Sequence, residues 1–286
     1  MNRLTIEQLE AIELGQLKRK GLLVASRRAA KRALNTDVKK YLDTLISGDS
    51  GIGKTFNITR ELDKVGVNYY QMTGNSSIFG FMGNLMLLHA TKPKGERLVI
   101  FLDDCDFLLE PKNLNITKNL TATNPSDRKF EYSMKVMEKN FTEAQQSVLP
   151  NYLKDGEHGL IIPCDDFIFI ISSNIVLPDE TMTDTMSDSA KLKYQHYSAI
   201  RGRMKPYEIE LGKESKWGWL YDVAMNDGAL DMLKSDEDKL ELLNFVWDNW
   251  GRMKETSIRT IEKMGYDRLE DDEDYADFWE IDYLKS

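Results

Sequence analysis

Residues 41–55 read Tyr-Leu-Asp-Thr-Leu-Ile-Ser-Gly-Asp-Ser-Gly-Ile-Gly-Lys-Thr, and this stretch decides the fold. A short run with strand character, 41–47, leads directly into glycines, and residues 54–65 have the pattern of a helix. Residues 48–55 fit G-x-x-x-x-G-K-[ST] in the strand–loop–helix context that a phosphate-binding loop requires. The sequence therefore predicts a phosphate site in an α/β domain.

The residue types in this loop suit the recognition of a phosphate group. Glycines allow backbone N–H groups to curl around an anion, and the following helix presents its positive end to the same anion. Lys54 is expected to reach the β- and γ-phosphates of a nucleotide, and the Thr55 hydroxyl is expected to bind Mg²⁺.

Outward from this loop, apolar runs alternate with helical patterns. The runs at 67–72, 98–102 and 167–171 have the composition of buried strands, and residues 77–90 form an apolar helical pattern. Such alternation predicts an α/β fold in which helices cover both faces of a parallel sheet.

The pattern changes elsewhere in the chain. Residues 110–130 are polar and turn-rich, which indicates an insertion, and a helix is predicted near 130–148. Strand patterns stop at about residue 213, and three helical patterns follow. We predict four regions, which are a basic helical segment (1–40), an α/β nucleotide-binding domain (41–212), a helical domain (213–264) and an acidic tail (265–286).

Two predicted strands end in polar residues that fit nucleotide chemistry. Residues 98–104 form an apolar strand that ends in two carboxylates, and residues 167–174 form one that ends in Ser-Ser-Asn. Ligands of open α/β sheets bind beyond the carboxyl ends of the strands. Asp103 is expected to hold Mg²⁺ through water, and Asp104 to orient or deprotonate the attacking water. Asn174 is expected to hold that water beside the γ-phosphate.

A fourth signal is the segment 199–204, which carries two arginines. Arg201 and Arg203 are expected at a turn at the edge of the sheet, where a planar guanidinium could reach a phosphate. An arginine supplied by a neighbouring subunit would neutralise charge that develops on the γ-phosphate. A surface salt bridge is the alternative role for these residues.

These motifs, in this order, resemble those of the AAA+ ATPase family. Residues 48–55 look like its Walker A motif, 98–104 like Walker B, 170–174 like sensor 1 and 199–204 like the segment that carries the arginine finger. The segment Ser257-Ile-Arg259 resembles the sensor 2 pattern of the family's lid domain. The resemblance spans most of the chain and looks closest to small viral or bacteriophage members.

The resemblance implies a P-loop core with a parallel sheet, a C-terminal helical lid, and hydrolysis of ATP with Mg²⁺. It implies that Thr55 and Asp103 bind the metal, that Asp104 stands at the position of the catalytic base and that Asn174 polarises water. The residues that it assigns to the nucleotide are Gly48, Asp49, Ser50, Gly51, Ile52, Gly53, Lys54, Thr55 and Arg259.

Two details of the resemblance bear on catalysis. Arg203 is the first choice for the finger because it precedes Met204, as an arginine precedes an apolar residue in the family, and Arg201 is the second choice. Glu is usual in the family where this chain has Asp104, and the shorter side chain implies a different water geometry and slow hydrolysis unless a neighbour compensates.

The resemblance also implies an active ring, most often a hexamer, because the finger acts on a neighbouring subunit. Translocating members carry an aromatic–apolar–Gly loop in the central pore near the position of Phe79, Gly80 and Phe81. The alternative is that these residues begin a core helix.

Composition limits the classes of protein to which this chain could belong. The chain has 286 residues, a net charge of −9 and a hydrophobic fraction of 41%, values typical of a soluble globular protein. No apolar run approaches the roughly 20 residues that span a bilayer, so no membrane partner is expected. Two cysteines make no disulfide framework, which favours a reducing cytoplasm, that of the host if the protein is viral.

Charge is distributed unevenly, which bears on the substrate. Residues 1–40 carry about +6 and residues 264–286 about −7. The basic segment favours a ring that acts on DNA in replication or another DNA transaction. A protein remodeller that uses Phe79 and Phe81 is a second hypothesis, and an ATP-binding scaffold with weak hydrolysis is a third, based on Asp104.

Overall fold

The structure is a computed structural model, and it describes residues 4–35, 37, 40–74, 77–133, 136–154, 159–177, 187–270 and 274–285. The chain divides into two compact units. The sheet unit comprises Ala25–Ser47 and Ile58–Glu208, and the helical unit comprises Met1–Val24, Gly48–Asn57 and Ile209–Ser286.

A five-stranded sheet forms the centre of the sheet unit, in the order β2-β3-β6-β1-β7. The strands are β1 (Thr44–Gly48), β2 (Tyr69–Thr73), β3 (Leu98–Asp103), β6 (Phe167–Ser173) and β7 (Lys205–Ile209). The pairings of β2 with β3, β3 with β6 and β6 with β1 are parallel. The predicted α/β fold with a parallel sheet is confirmed.

Burial explains why the central strands are continuous apolar runs. Every residue of β6 is buried, as are Val99 to Asp103 of β3, because both faces of the sheet are covered. β2 lies at the edge of the sheet and is largely exposed. The core of this unit includes the fully buried rings of Phe81, Phe130 and Phe167.

Three helices follow strands of the sheet; the first two match the helices predicted at 54–65 and 77–90, and the third was not predicted. They are α2 (Lys54–Val65), α3 (Ile78–Thr91) and α6 (Asp188–Arg203). The Ser77 side chain accepts a hydrogen bond from Gly80 N at the start of α3, and the Ser187 side chain accepts one from Ala190 N at the start of α6. Each serine thereby satisfies a donor that the first helical turn leaves unpaired.

The segment between β3 and β6 is a folded insertion. It contains α4 (Leu114–Leu120), α5 (Glu143–Val148) and an antiparallel pair of strands, β4 (Lys129–Tyr132) and β5 (Leu160–Pro163). The prediction of a helix near 130–148 is wrong for most of its length, because Phe130 packs in the core from a strand and the helix is restricted to α5.

A buried ion pair anchors this insertion. The Arg128 guanidinium lies 2.6 Å from a carboxylate oxygen of Asp43, just before β1, and both side chains are almost fully buried. The same oxygen accepts a hydrogen bond from Phe169 N, and Arg128 also donates to the Leu120 carbonyl. Burial raises the pKa of Asp43, and the positive charge of Arg128 opposes that shift. Removing either partner alone would leave an uncompensated buried charge, which costs about 3–5 kcal/mol.

The helical unit confirms the prediction of a C-terminal helical region. Its helices after the sheet are α7 (Lys213–Asn226), α8 (Asp236–Asp248), α9 (Ile258–Glu270) and α10 (Tyr275–Tyr283). Its apolar core includes the buried rings of Trp217 and Trp279. Ser235 caps α8, and three acidic residues in the first turn complement the helix dipole.

The long N-terminal helix α1 (Ile6–Leu34) crosses α7 at two glycines. A Cβ added to Gly15 would lie 2.2 Å from Gly218 C, and one added to Gly218 would lie 1.8 Å from Ala11 O. Arg19 is buried at this crossing and forms ion pairs with Asp222 and Asp227. One of the predicted basic surface residues is therefore part of the packing between helices.

The region predicted as an acidic tail, 265–286, holds the end of α9 and all of α10. Trp279 is 1% exposed, and its indole N–H donates to the Met264 carbonyl across 3.1 Å. An aromatic anchor therefore ties this acidic segment to the helical core. None of the helices in the described residues combines the length and apolar composition needed to cross a membrane.

Candidate active site

The phosphate loop has a backbone that requires glycine. Gly51 and Gly53 have φ angles of +71° and +77°, in the left-handed region that side chains disfavour. Lys54 begins α2, and its ammonium donates to the carbonyls of Gly48 and Asp49, each across 2.8 Å. The ammonium is thus held over the loop itself, next to the backbone that the motif uses for phosphate.

Other parts of the helical unit hold this loop. The backbone N–H of Ile258, at the start of α9, donates to the Gly51 carbonyl across 3.2 Å. The Lys216 ammonium on α7 lies 3.1 Å from a carboxylate oxygen of Asp49. Arg259, the predicted sensor 2 residue, directly follows Ile258 and is exposed in the first turn of α9. The structure therefore places the loop and the predicted sensor 2 segment together.

β3 delivers two adjacent carboxylates to the carboxyl edge of the sheet. Asp103 is 8% exposed, whereas Asp104 is exposed and has a φ of +52°, which is unusual for a residue with a side chain. The backbone N–H of Asp104 donates to the Ser172 carbonyl of β6 across 3.1 Å. Such strained backbone at the end of a strand turns the second carboxylate out of the sheet and is typical of functional sites.

The predicted water-holding residues are in contact. The Asn174 side-chain amide donates to a carboxylate oxygen of Asp104 across 3.3 Å. Ser173, which precedes Asn174, donates to Asp106 across 2.5 Å and accepts from Ile175 N across 2.9 Å. These bonds fix the backbone around Asn174, so its amide is positioned beside Asp104.

Strand order explains why these residues meet. β3, β6 and β1 are parallel neighbours, with Asp103 beside Ser172 and Ser47 beside Ser173. Their carboxyl ends share one edge of the sheet, which is where α/β folds bind ligands. The chain passes from β1 into the phosphate loop at this edge.

The two finger candidates lie in the last turn of α6, and the expectation of a turn at the edge of the sheet is corrected. Arg201 donates to the Leu177 carbonyl and to Glu208, each across 2.5 Å. Arg203 is half-buried and donates to the Ala199 carbonyl of its own helix across 2.9 Å. Arg201 is thus tied to other elements of its own chain.

The predicted pore-loop residues lie in the first turn of α3. Phe81 is fully buried, and Phe79 packs edge-on against Tyr132 and Phe141. Gly80 takes part in the helix cap at Ser77. The packing favours the core interpretation of this segment over a loop that grips substrate.

Each of the two units carries a residue whose chemistry suits a nucleotide with Mg²⁺, Thr55 in the helical unit and Asp103 in the sheet unit. No group of three His, Cys, Asp or Glu side chains in the described part of the chain could hold a metal alone. Mg²⁺ in nucleotide sites takes one or two carboxylates, phosphate oxygens and water, so Asp103 and Thr55 suit it chemically. When bound, the ion would offset the negative charge of the nucleotide phosphates.

Phe56 and Lys216 escaped the sequence analysis, whereas Cys105 was predicted to be a small core residue and is fully buried. Phe56, two residues after Lys54, is 59% exposed on α2, an unusual position for a large aromatic ring. Lys216 lies more than 150 positions from Asp49 in the chain, and no sequence signal links the two. Burial, and secondarily the charges of the acids around it, raise the pKa of the Cys105 thiol to about 12, so this cysteine stays protonated.

Comparisons with known proteins find likeness among solved structures and none in sequence. No family model and no curated protein matches the sequence. Among solved structures, the chain is similar to a mutant of RuvB from Thermotoga maritima, at 13% identity and a TM-score of 0.47. The match covers 93% of this chain and 70% of that chain. Likeness at this level carries no information on function, which rests on the residues of the site.

Proposed function

We propose that the chain is an ATPase of the AAA+ type. The observation that carries the proposal is the contact between Asn174 and Asp104 at the sheet edge where β1 leads into the phosphate loop. A carboxylate with a fixed amide beside it is the arrangement that holds and deprotonates a water nucleophile. The glycine-rich loop and Lys54 supply the matching phosphate site.

Each residue has one role in this proposal. The loop N–H groups and Lys54 bind the phosphates, and Thr55 and Asp103 hold Mg²⁺, which supplies charge neutralisation when bound. Asp104 takes the proton of the attacking water, and Asn174 orients that water. Arg259 contacts the nucleotide from α9, since its neighbour Ile258 already bonds the loop.

The proposed active form is a homo-oligomeric ring, most often six subunits in this family. Arg203 acts as the finger on the nucleotide of the neighbouring subunit. In support, the Arg201 guanidinium donates to Glu208 and to the Leu177 carbonyl. Among the described residues, the Arg203 side chain bonds only the Ala199 carbonyl of its own helix. Breaking that single bond frees the guanidinium at small cost.

DNA is the proposed substrate, and a reducing cytoplasm is the proposed location. Arg27, Arg28 and Lys31 are exposed on α1 and could contact phosphates, although Arg27 also pairs with Glu61. Both cysteines are free and buried, which supports a reducing compartment. Threading of a protein substrate receives no support from the buried side chain of Phe81.

Nucleotide binding and steady-state hydrolysis test the proposed activity. We expect Lys54→Ala to lose both nucleotide binding and hydrolysis. The proposed role of the ammonium is to contact phosphate in the bound nucleotide and in the transition state. Lys64→Ala is the matched control, since Lys64 is an exposed lysine on the same helix. Equal activity in wild type and Lys54→Ala would contradict the proposal.

The salt dependence of DNA affinity tests the proposed substrate. Neutralising Arg27, Arg28 and Lys31 should reduce the slope of log affinity against log salt by about 3, since each phosphate contact contributes ~0.9. The control neutralises three exposed lysines elsewhere, Lys94, Lys112 and Lys139. An equal slope in all three proteins would remove DNA as the ligand of α1, and ATPase stimulation by a protein would favour a remodeller instead.

A further inference from the structure

Two buried hydroxyls near the carboxyl ends of the strands make no hydrogen bond within the described part of the chain, that of Ser47 on β1 and that of Ser172 on β6. Ser172 is 0% exposed in the interior strand β6, and its Oγ makes no hydrogen bond within the described part of the chain. Its backbone carbonyl accepts the N–H of Asp104, so the residue is held firmly in place. An unsatisfied polar atom in a tightly packed strand calls for a physical reason, because an apolar side chain would fit there without the desolvation cost.

The register of the sheet places the Ser172 hydroxyl beside Asp103. Ser172 is the direct partner of Asp103 on β3 and of Ile46 on β1. Directly paired residues of neighbouring strands project to the same face of the sheet, and successive residues project to opposite faces. Ser172 therefore shares a face with the Asp103 carboxylate, whereas Ser173 projects to the other face and bonds Asp106.

The chemistry of a serine hydroxyl suits a water molecule held by a cation. A hydroxyl can donate one hydrogen bond and accept others, so it can bind a water while that water also contacts a carboxylate. Water that is bound to Mg²⁺ is a strong donor, and residues that orient such ligands commonly set the affinity for the metal. Alanine in place of Ser172 would keep the packing and lose only this function.

We propose that Ser172 is a positioning residue for the metal site. Its Oγ accepts a hydrogen bond from a Mg²⁺-bound water that Asp103 also contacts, and it thereby fixes the orientation of the metal's water shell. This inference rests on the proposed function and adds a residue that the resemblance does not assign.

The test measures metal affinity separately from nucleotide affinity. A fluorescent ADP analogue is titrated into full-length protein without metal, and Mg²⁺ is then titrated into the complex. Mn²⁺ binding to the same complex, followed by electron paramagnetic resonance, gives a readout independent of turnover. The variants are Ser172→Ala, Ser172→Thr, which retains the hydroxyl, and Ser26→Ala. Ser26 is the matched control, because it is 1% exposed with an unpartnered Oγ but lies on α1.

We expect Ser172→Ala to weaken metal affinity by about 10-fold or more, with metal-free ADP affinity and thermal stability at wild-type level. Ser172→Thr should retain most of the metal affinity, and Ser26→Ala should match wild type. Unchanged metal affinity in Ser172→Ala would overturn this inference and leave the proposed function standing. A loss of metal-free ADP affinity as large as the loss of metal affinity would also overturn it, because it would indicate a structural role for Ser172. Failure of the wild type to bind ADP would overturn the proposed function together with this inference.

Discussion

The side-chain amide of Asn174 donates a hydrogen bond to the carboxylate of Asp104 across 3.3 Å, and the two residues directly follow neighbouring strands. This contact predicts separate effects on binding and chemistry. Asp104→Asn should lower kcat by about 10²–10⁴-fold, because the general base is lost, and leave ATP affinity intact. Asn174→Ala should lower kcat less, since the base remains.

Single-turnover hydrolysis and equilibrium binding of ATP measure these two effects. Asn113→Ala is a control of the same residue type, since the Asn113 amide bonds the Phe107 carbonyl and no carboxylate that the proposal uses. A large loss of ATP affinity in Asp104→Asn would show that Asp104 binds the ground state and is not the base.

The contact between the phosphate loop and α9 predicts a specific cost for a methyl group at Gly51. A Cβ there would lie 2.5 Å from the Cβ of Ser257, in addition to the strain of a φ of +71°. Gly66 is the matched control, because its φ is +69° and a Cβ would meet nothing within 4 Å. Each alanine variant should lose about 1–2 kcal/mol from strain, and Gly51→Ala should also lose ATP affinity.

Thermal melting and ATP binding of the two glycine variants separate strain from contact. Equal melting temperatures with equal ATP affinity would mean that the loop does not rely on its packing against Ser257.

The crossing of α1 and α7 predicts opposite outcomes for two glycines. Gly218→Ala should destabilise the fold strongly, because the new Cβ would lie 1.8 Å from the Ala11 carbonyl oxygen. Gly21→Ala, on α1, should stabilise it by about 0.5–1 kcal/mol, because alanine favours helix and nothing lies within 4 Å. Urea unfolding measures both, and a stable Gly218→Ala variant would contradict the close crossing.

The partly buried His89 predicts a loss of stability in acid. Burial, and secondarily the charge of Lys92, lower the pKa of His89 below its usual 6.5. The unfolded chain therefore takes up a proton that the folded chain resists, and the free energy of unfolding should fall as the pH drops below about 6.5. His89→Phe should flatten this dependence while an aromatic ring still packs against Phe167.

Urea unfolding between about pH 7.5 and 5.5 measures this linkage. The pKa of His196 is also lowered, by burial and by the charge of Lys118. Its protonation therefore also lowers the free energy of unfolding in acid, so His89→Phe should retain part of the pH dependence. Parallel curves of the free energy of unfolding against pH for wild type and His89→Phe would show that protonation of His89 is not linked to unfolding.

Local patterns predicted the elements that carry the site. The apolar runs that became β3 and β6 are buried on both faces, which is why composition alone revealed them. The phosphate loop was predictable because its glycines meet a backbone requirement that is local in sequence. The carboxyl ends of parallel strands share one edge of the sheet, and this rule predicted that Asp104 and Asn174 would lie close together.

Contacts between distant parts of the chain were not predictable from local patterns. Arg19 counted toward a basic surface, yet its partners Asp222 and Asp227 lie about 200 positions away and bury it. Gly15 lies in the predicted basic helical segment, where a glycine is expected to weaken a helix, although it permits the crossing with Gly218. Both errors arise because a pattern shows which residues share a helix face, and tertiary packing decides what that face meets.

The most direct test of the account is the ATPase rate per subunit against protein concentration, for wild type and for an equimolar mixture of Lys54→Ala with Arg203→Ala. We predict a cooperative rise for wild type, near-zero rates for each variant alone, and regained activity in the mixture, because an intact Arg203 would then face an intact Lys54. A rate independent of concentration, or a mixture no more active than its components, would contradict a ring with a finger supplied in trans.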